Sequence, residues 1–332
     1  MARQTLSQLL ENMGSGSAVA LARLMTLVER ESREVGPILE AIAPQLGHAF
    51  TIGVTGPPGA GKSSLVDGLT TLMRAAHKTV GVVAIDPSSP FSGGALLGDR
   101  IRMGQHYLDK GVFIRSMATR GSHGGLARAT LDVMKLLDAF RCDYVLVETV
   151  GVGQTELDVM RATDTVIVTL VPEAGDSVQV MKAGLMEIAD IFVVNKADRD
   201  GAQRMMTDLS LMLELKYSNR PAGQVAAPQW KIPVLATQAI NNVGLPELFE
   251  AMESHHQFLT DGGELEQRRT TRRQEELLAR VEYAVRRRLT DQLELDPALA
   301  RLFEEVGAGR LDPHSASEQV LRSEFLKNGG EL

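Results

Sequence analysis

The sequence predicts an α/β fold in which a mainly parallel β-sheet is flanked by helices on both faces. Between residues 50 and 236, short runs rich in β-branched residues alternate with stretches in which apolar residues have helical spacing. The runs are apolar almost throughout, as expected for parallel strands that are buried on both faces. A glycine-rich segment connects the first run to the first helical stretch, in the order strand, loop and helix.

Three segments are predicted along the 332 residues. Residues 1–46 form an N-terminal helical segment with breaks near 14–16 and 36–37, residues 47–258 form the α/β domain, and residues 259–332 form a C-terminal helical arm. The predicted strands cover residues 51–55, 79–85, 112–114, 144–148, 165–171, 191–194 and 232–235.

The C-terminal arm contains four arginines within 268–273, followed by glutamates and by apolar residues at helical spacing. The apolar residues are Leu277, Leu278, Val281 and Val285. Two interpretations fit this pattern. The arginines form a solvated helix face paired with the glutamates, or the segment is a dimerisation arm that docks a second subunit.

The composition and net charge of the chain argue against some classes of binding partner. Hydrophobic residues make up 44% and charged residues 23% of the chain, as in a globular protein with a core. The net charge of -7 disfavours nucleic acid and anionic membranes as general partners, because both require a basic surface. No apolar run approaches the roughly 20 residues that span a bilayer, so no membrane partner is expected.

The cysteine and histidine content gives two further expectations. Cys142 is the single cysteine and forms no intramolecular disulfide, so we expect a reducing, cytoplasmic location. It adjoins an apolar run, which favours a small buried side chain over a reactive thiol. His255 and His256 lie on a predicted helix, and we expect both to be solvent-exposed.

Residues 56–63, with the sequence G-P-P-G-A-G-K-S, match the phosphate-binding pattern G-x-x-x-x-G-K-[ST]. Backbone N–H groups of such a loop surround phosphate, and the following helix adds the positive end of its dipole. Lys62 is expected to reach the β- and γ-phosphates of a nucleotide, and the Ser63 hydroxyl to bind Mg²⁺. The predicted nucleotide-binding residues of this loop are Gly59, Ala60, Gly61, Lys62, Ser63 and Ser64.

A second motif, Asn195-Lys196-Ala197-Asp198, ends the run at 191–194 on the same side of the predicted sheet. The Asp198 carboxylate can accept from N1–H and N2–H₂ of guanine, while the Lys196 stem covers the base. A buried polar group without its partner strongly disfavours the wrong base, so the motif favours GTP over ATP. Thr237, Gln238 and Ala239 follow the last strand, where backbone donors are expected near guanine O6, although Gln238 is unusual there.

A third motif starts at Glu148 and runs to residue 154. Glu148 occupies the acid position expected to support Mg²⁺, and Gly151 is the switch glycine whose N–H is expected to meet the γ-phosphate. Val152 occupies the position at which Ras-like enzymes carry a water-orienting glutamine. We therefore expect slow intrinsic turnover of GTP.

Two further acids follow the second strand. Asp86 lies at the end of that strand and can hold a water of Mg²⁺ or the attacking water, or it can cap a turn before Pro87. Asp99 lies in a glycine-rich loop and is either an acid of the site or an N-cap. The glycine-rich loop at 120–125 either contacts the nucleotide or forms the turn that enters the next helix.

Together these motifs resemble the G-protein chaperones associated with methylmalonyl-CoA mutase, also labelled ArgK-type or LAO/AO transport ATPase proteins, among the signal-recognition-particle-like P-loop GTPases. The run V-E-T-V-G-V-G-Q at 147–154 is highly specific for this family. The similarity extends over essentially the whole chain. Its segments are 56–63, 86–89, 93–103, 148–156, 172–182, 184–198 and the helical tail.

The resemblance implies a homodimeric, Mg²⁺-dependent GTPase that binds GTP and GDP and an adenosylcobalamin-dependent acyl-CoA mutase. It further implies that the protein gates cofactor delivery from a cobalamin adenosyltransferase and protects or rescues the mutase. By position, Asp86, Asp99 and Glu148 are the acids of the Mg²⁺ and hydrolysis site, and 175–182 is an additional switch. The sequence at 99–102 and Met181-Lys182 departs from the usual pattern, which leaves the identity of the mutase open.

Two other functions remain as alternatives. A metallochaperone GTPase shares the fold, but such proteins usually carry a histidine-rich tract or a cysteine motif, and this sequence has neither. A kinase or ATPase of a lysine, arginine and ornithine transport system has no sequence feature of its own here.

Overall fold

The computed structural model describes residues 4–86, 103–118, 125–149, 151, 160–172, 185–218, 229–293 and 295–322. Within these residues the chain divides into two compact units, Met1–Glu266 and Gln267–Leu332. None of the helices so described is long and apolar enough to cross a membrane.

Seven strands of the first unit form one sheet in the order β3-β2-β4-β1-β5-β6-β7, and every neighbouring pair is parallel. This confirms the predicted mainly parallel sheet. The strands are β1 (Phe50–Thr55), β2 (Val80–Asp86), β3 (Val112–Ala118), β4 (Tyr144–Glu148), β5 (Thr165–Leu170), β6 (Ile191–Asn195) and β7 (Val234–Thr237).

The predicted strands are confirmed. The predicted and observed strand ends differ most for β3 and β7, at the two edges of the sheet. β3 extends beyond the apolar run through Arg115 and Ser116, because an edge strand accommodates polar residues. Arg115 forms an ion pair with Glu29. β7 begins after Pro233, which has no N–H group to donate to the ladder.

The helices of the first unit cover both faces of the sheet. They are α1 (Leu6–Gly14), α2 (Ala18–Glu29), α3 (Val35–Ile42), α4 (Lys62–Ala75), α5 (Gly125–Ala139), α6 (Leu185–Ile188), α7 (Ala202–Ser218) and α8 (Leu245–Asp261). One core cluster joins α4 and α8 to residues such as Ile52 and Val54. The other joins α1–α3, α5 and α7 to Val145 and Val147. The central strands are therefore buried from both sides.

The N-terminal helices share this second core cluster with the sheet, through buried residues that include Leu21 and Leu24. The break after α1 agrees with the prediction, and the second break lies between Glu29 and Val35, a few residues before the predicted position near 36–37. Helix α3 starts at Val35, so Pro37 lies in its first turn. The missing N–H of proline costs nothing there, because first-turn N–H groups have no partner within the helix.

Two predictions about single side chains have opposite outcomes. Cys142 is 3% exposed and belongs to the core cluster, as predicted. The predicted solvent exposure of His255 is wrong, since its side chain is fully buried. Its Nδ1 lies 2.8 Å from the Thr165 hydroxyl, and its Nε2 lies 3.3 Å from Asp190 Oδ1.

The second unit is helical. Its described helices are the greater part of α9 (Glu264–Leu293), then α10 (Pro297–Gly307) and α11 (Pro313–Arg322). Glu276 forms an ion pair with Arg280 at 2.7 Å, an arginine outside the cluster at 268–273 for which glutamate pairing was predicted. No residue of α9 is buried among those described, and the apolar side chains of Leu277, Leu278, Val281 and Val285 are exposed.

Candidate functional site

The glycine-rich loop lies between β1, at the centre of the sheet, and the start of α4. Three of its glycines have positive φ, namely Gly56 at 145°, Gly59 at 76° and Gly61 at 88°. A side chain at Gly56 would collide with the backbone of Thr169, and one at Gly61 with the Asn195 side chain. The loop can therefore close only with glycine at these positions.

Lys62 and Ser63 are the first residues of α4, and both are buried. Lys62 Nζ donates to the carbonyl oxygens of Gly56 at 2.8 Å and Pro57 at 3.0 Å, so the ammonium lies within the loop. Ser63 Oγ donates to Glu148 Oε1 at 2.6 Å. The structure therefore brings together the serine and the acid that were predicted to hold the metal.

The donor set at this contact fits a magnesium ion. Ser63 and Glu148 are 7% and 5% exposed, and each offers a hard oxygen atom. Mg²⁺ prefers such ligands and in nucleotide sites takes the remainder from phosphates and water. Glu148 ends β4, which lies directly beside β1, so the acid is carried on the strand next to the phosphate-binding loop.

Asn195, at the end of β6, connects two loops. Its Nδ2 donates to the Ala60 carbonyl at 2.8 Å. Its Oδ1 accepts from Thr237 Oγ1 and from the Ala239 amide, each at 3.0 Å. The side chain is 3% exposed, so these bonds are shielded from water. Asn195 thereby fixes the phosphate-binding loop relative to the loop that follows β7.

The remaining residues of the second motif differ from Asn195 in exposure. Lys196 has a φ of 56°, and Asp198 lies exposed in the loop that follows. The amide of Gln238 donates to the Val243 carbonyl at 3.0 Å, just as the Ala239 amide donates to Asn195. Of the three residues predicted near guanine O6, Gln238 and Ala239 therefore have amides that donate to protein acceptors.

Gly151, the predicted switch glycine, lies beside two threonines that the sequence patterns did not single out. Thr55 Oγ1 donates to the Gly151 carbonyl at 3.0 Å, and Thr149 Oγ1 lies 3.1 Å from the same oxygen. Threonine is common in strands, and Thr55 and Thr149 are 94 residues apart, so only the β1–β4 pairing shows that their hydroxyls meet.

Some predicted residues lie outside the described part of the chain. Asp86 ends β2, whose neighbour is β4, so its backbone lies at the same edge of the sheet as Glu148. The carboxylate of Asp86, the whole of Asp99, the loop at 120–124 and the additional switch at 175–182 are not among the residues described.

Comparison with known proteins relates this arrangement to one family. The family model described as methylmalonyl-CoA mutase-associated GTPase MeaB matches residues 21–294. A protein of Pyrococcus abyssi is 46% identical over 318 residues, which cover 96% of each chain. GTPase ArgK of Escherichia coli is 34% identical over 333 residues, which cover 97% of each chain.

Similarity in structure extends over the same length. The crystal structure of a LAO/AO transport system kinase has a TM-score of 0.71 and 28% sequence identity with this chain. The match covers 98% of this chain and 100% of the other. It confirms the predicted P-loop fold with its helical additions.

Proposed function

The chain belongs to the methylmalonyl-CoA mutase-associated GTPase family, and from this premise we propose that it is a Mg²⁺-dependent switch for an adenosylcobalamin-dependent acyl-CoA mutase. The observation that carries the site assignment is the buried contact between Ser63 and Glu148, beside the phosphate-binding loop. In this proposal GTP sets one arrangement of the loops around Glu148 and Gly151, and hydrolysis releases it.

Lys62 is the residue that counters charge on the β- and γ-phosphates. The two carbonyl contacts of its Nζ keep the ammonium inside the loop, where phosphate would replace them as the partner. Lys62→Ala is therefore expected to abolish GTP hydrolysis, measured as phosphate release. Hydrolysis at the parent rate would overturn this role.

Ser63 and Glu148 are the residues proposed to hold Mg²⁺, with Asp86 and Asp99 as further acids of the site. When bound, the ion neutralises charge on the phosphate oxygens. The acids of the chain hold and orient the attacking water. Because Val152 offers no side-chain amide for that purpose, the isolated protein is expected to turn over slowly, and several turnovers per second would contradict this.

Asp198 is proposed to select guanine through its exposed carboxylate. Asp198→Asn replaces an acceptor by a donor, which fits the C2 carbonyl of xanthine better than the C2 amino group of guanine. We expect this variant to lose affinity for GTP and to gain affinity for XTP. Asp200→Asn, an exposed acid in the same loop, is the matched control and should leave the preference unchanged. Unchanged GTP affinity in Asp198→Asn would refute the assignment.

The mutase partner is supported by the family description and by the resemblance of residues 147–154. A cytoplasmic complex that gates adenosylcobalamin delivery, from an adenosyltransferase to the mutase, is the corresponding role. The test is a pull-down from a lysate with GDP and with a non-hydrolysable GTP analogue, followed by identification of any cobalamin-dependent mutase. A mutase retained in one nucleotide state supports the proposal. If neither state retains one, the partner assignment fails while GTP hydrolysis is unaffected.

A homodimer is proposed through the C-terminal arm. On α9, Leu277, Leu278 and Val281 are 62%, 63% and 51% exposed, a contiguous apolar surface of the kind that marks protein interfaces. Leu278→Asp combined with Val281→Asp should convert a dimer to a monomer in sedimentation experiments. Leu211→Asp, at an exposed position of α7, should leave the mass unchanged. A variant of α9 that remains dimeric would exclude this surface.

The similarity to the transport system kinase structure favours one alternative, phosphoryl transfer to a protein. Incubation with nucleotide labelled in the γ-phosphate separates the two functions. Label released as phosphate supports the hydrolase, and label retained on a second protein supports the kinase.

A further inference from the structure

Two buried hydroxyl groups converge on the carbonyl oxygen of Gly151. Thr55 Oγ1 donates to this oxygen at 3.0 Å, and Thr149 Oγ1 lies 3.1 Å from it. The two hydroxyl oxygens are themselves 3.0 Å apart. Thr55 is 0% and Thr149 is 1% exposed, so water does not compete for these contacts.

The number of protons determines how the three oxygens are connected. Each hydroxyl carries one proton, and a carbonyl oxygen has two lone pairs. If Thr55 donates to Gly151, then Thr149 donates either to the same carbonyl or to Thr55. In both arrangements the carbonyl keeps at least one hydrogen bond.

The two hydroxyls are attached to a fixed backbone. Thr55 is the last residue of β1 and immediately precedes Gly56, whose conformation admits only glycine. The Thr149 amide donates to the Val54 carbonyl at 3.1 Å, which continues the pairing of β1 and β4 by one residue. The network therefore connects the phosphate-binding loop to Gly151 through one side chain at the end of β1 and one that directly follows β4.

Gly151 has little packing among the residues that the structure describes. It is partly exposed, and a side chain built at this position would meet no described atom within 4 Å. The contacts described for its carbonyl oxygen are those with the two hydroxyl groups. Because this oxygen is tethered to Thr55 and Thr149, the position of the Gly151 backbone is restrained, and with it the Gly151 N–H group that is proposed to meet the γ-phosphate.

We propose that Thr55 and Thr149 are positioning residues for GTP hydrolysis, which hold the Gly151 backbone in the orientation that the transition state requires. The inference rests on the proposed role of Gly151 at the γ-phosphate. Backbone donors stabilise developing charge only when they are held in place beforehand. Loss of the hydroxyls should therefore slow hydrolysis more than it weakens nucleotide binding.

The test uses Thr55→Val and Thr149→Val, which remove the hydroxyl with little change in shape. For each variant we expect kcat to fall about 10-fold, while KM for GTP and the Kd for GDP change by less than about 3-fold. Thr55→Ser and Thr149→Ser keep a hydroxyl and should restore most of kcat. Thr130→Val is the matched control, because Thr130 is also fully buried but lies on α5, where its hydroxyl contacts Met117 Sδ at 3.7 Å.

Several outcomes would overturn the proposal. These are valine variants with the parent kcat, serine variants as slow as the valine variants, or a valine variant that weakens GDP binding as much as it lowers kcat. A valine variant that does not fold would also overturn it, since the hydroxyls would then maintain the fold. A parent protein that binds GTP without hydrolysing it would instead refute the proposed GTPase site.

Discussion

Asn195→Asp is the substitution that tests the loop connection most directly, because it changes one donor group into an acceptor and keeps the shape. The carboxylate can still accept from Thr237 and Ala239. It can no longer donate to the Ala60 carbonyl, which lies 2.8 Å from the present donor. Asn195→Ala, by contrast, removes all three hydrogen bonds.

The loss of stability expected for each variant follows from the number of buried polar groups that it leaves without a hydrogen-bond partner. Asn195→Asp leaves one buried carbonyl facing an acceptor, which costs about 1–3 kcal/mol. The expected loss in the free energy of unfolding is therefore about 1–3 kcal/mol. Asn195→Ala leaves three groups without partners and should cost about 3–9 kcal/mol, a large part of the stability of an ordinary domain.

The pH response separates the two variants. Lowering the pH favours protonation of the introduced carboxyl group, and the protonated form can again donate to the Ala60 carbonyl. Urea unfolding is followed at pH 8 and pH 5.5 by the fluorescence of Trp230, the single tryptophan. The free energy of unfolding of Asn195→Asp should lie closer to that of the parent at pH 5.5 than at pH 8. For Asn195→Ala the difference from the parent should be the same at both pH values. An Asn195→Asp protein as stable as the parent at pH 8 would refute the reasoning.

Three further predictions concern separate sites. Burial, followed by the nearby carboxylates, raises the pKa of the Cys142 thiol to about 12, so a thiol reagent at pH 8 should label the protein only after unfolding. Burial opposes ionisation of Asp143, but hydrogen bonds from the Thr79 amide and hydroxyl outweigh it and lower its pKa. The ionised Asp143 therefore stabilises the fold at pH values above its unfolded pKa of about 4. In urea unfolding, Asp143→Asn should be less stable than the parent at neutral pH, and this difference in the free energy of unfolding should disappear as the pH falls below that value. Ser63→Ala removes the hydroxyl that contacts Glu148, so GDP titrations should lose their dependence on Mg²⁺. Labelling of native Cys142, a constant deficit for Asp143→Asn, or retained Mg²⁺ dependence would each contradict one prediction.

The central strands of the fold could be predicted because burial on both faces requires a continuous apolar run. β1, β4 and β5 therefore stand out in the sequence. The edge strands were less certain for the same physical reason. One face of β3 need not be apolar, so Arg115 interrupts the pattern although the strand continues to Ala118.

The residues of the site divide in a similar way. Lys62 and Ser63 belong to a local motif, so their positions follow from short spacing. The contact of Thr55 with Thr149 depends on strand pairing across 94 residues, and no spacing pattern encodes it. His255 is an intermediate case, because Leu248, Met252 and Leu259 share its helical face and are buried, so the periodicity of α8 already indicated burial.

The motif at 195–198 combines two physically different roles. The side-chain hydrogen bonds of Asn195 in this structure go to protein atoms, and they fix two loops that any nucleotide would contact. Asp198 is exposed at the end of the same motif and is free of such bonds within the described residues. Selectivity requires a group that contacts the base itself. Substitutions of Asn195 should therefore weaken the binding of guanine nucleotides and of other nucleotides to the same extent. Substitutions of Asp198 should instead change which nucleotide is preferred.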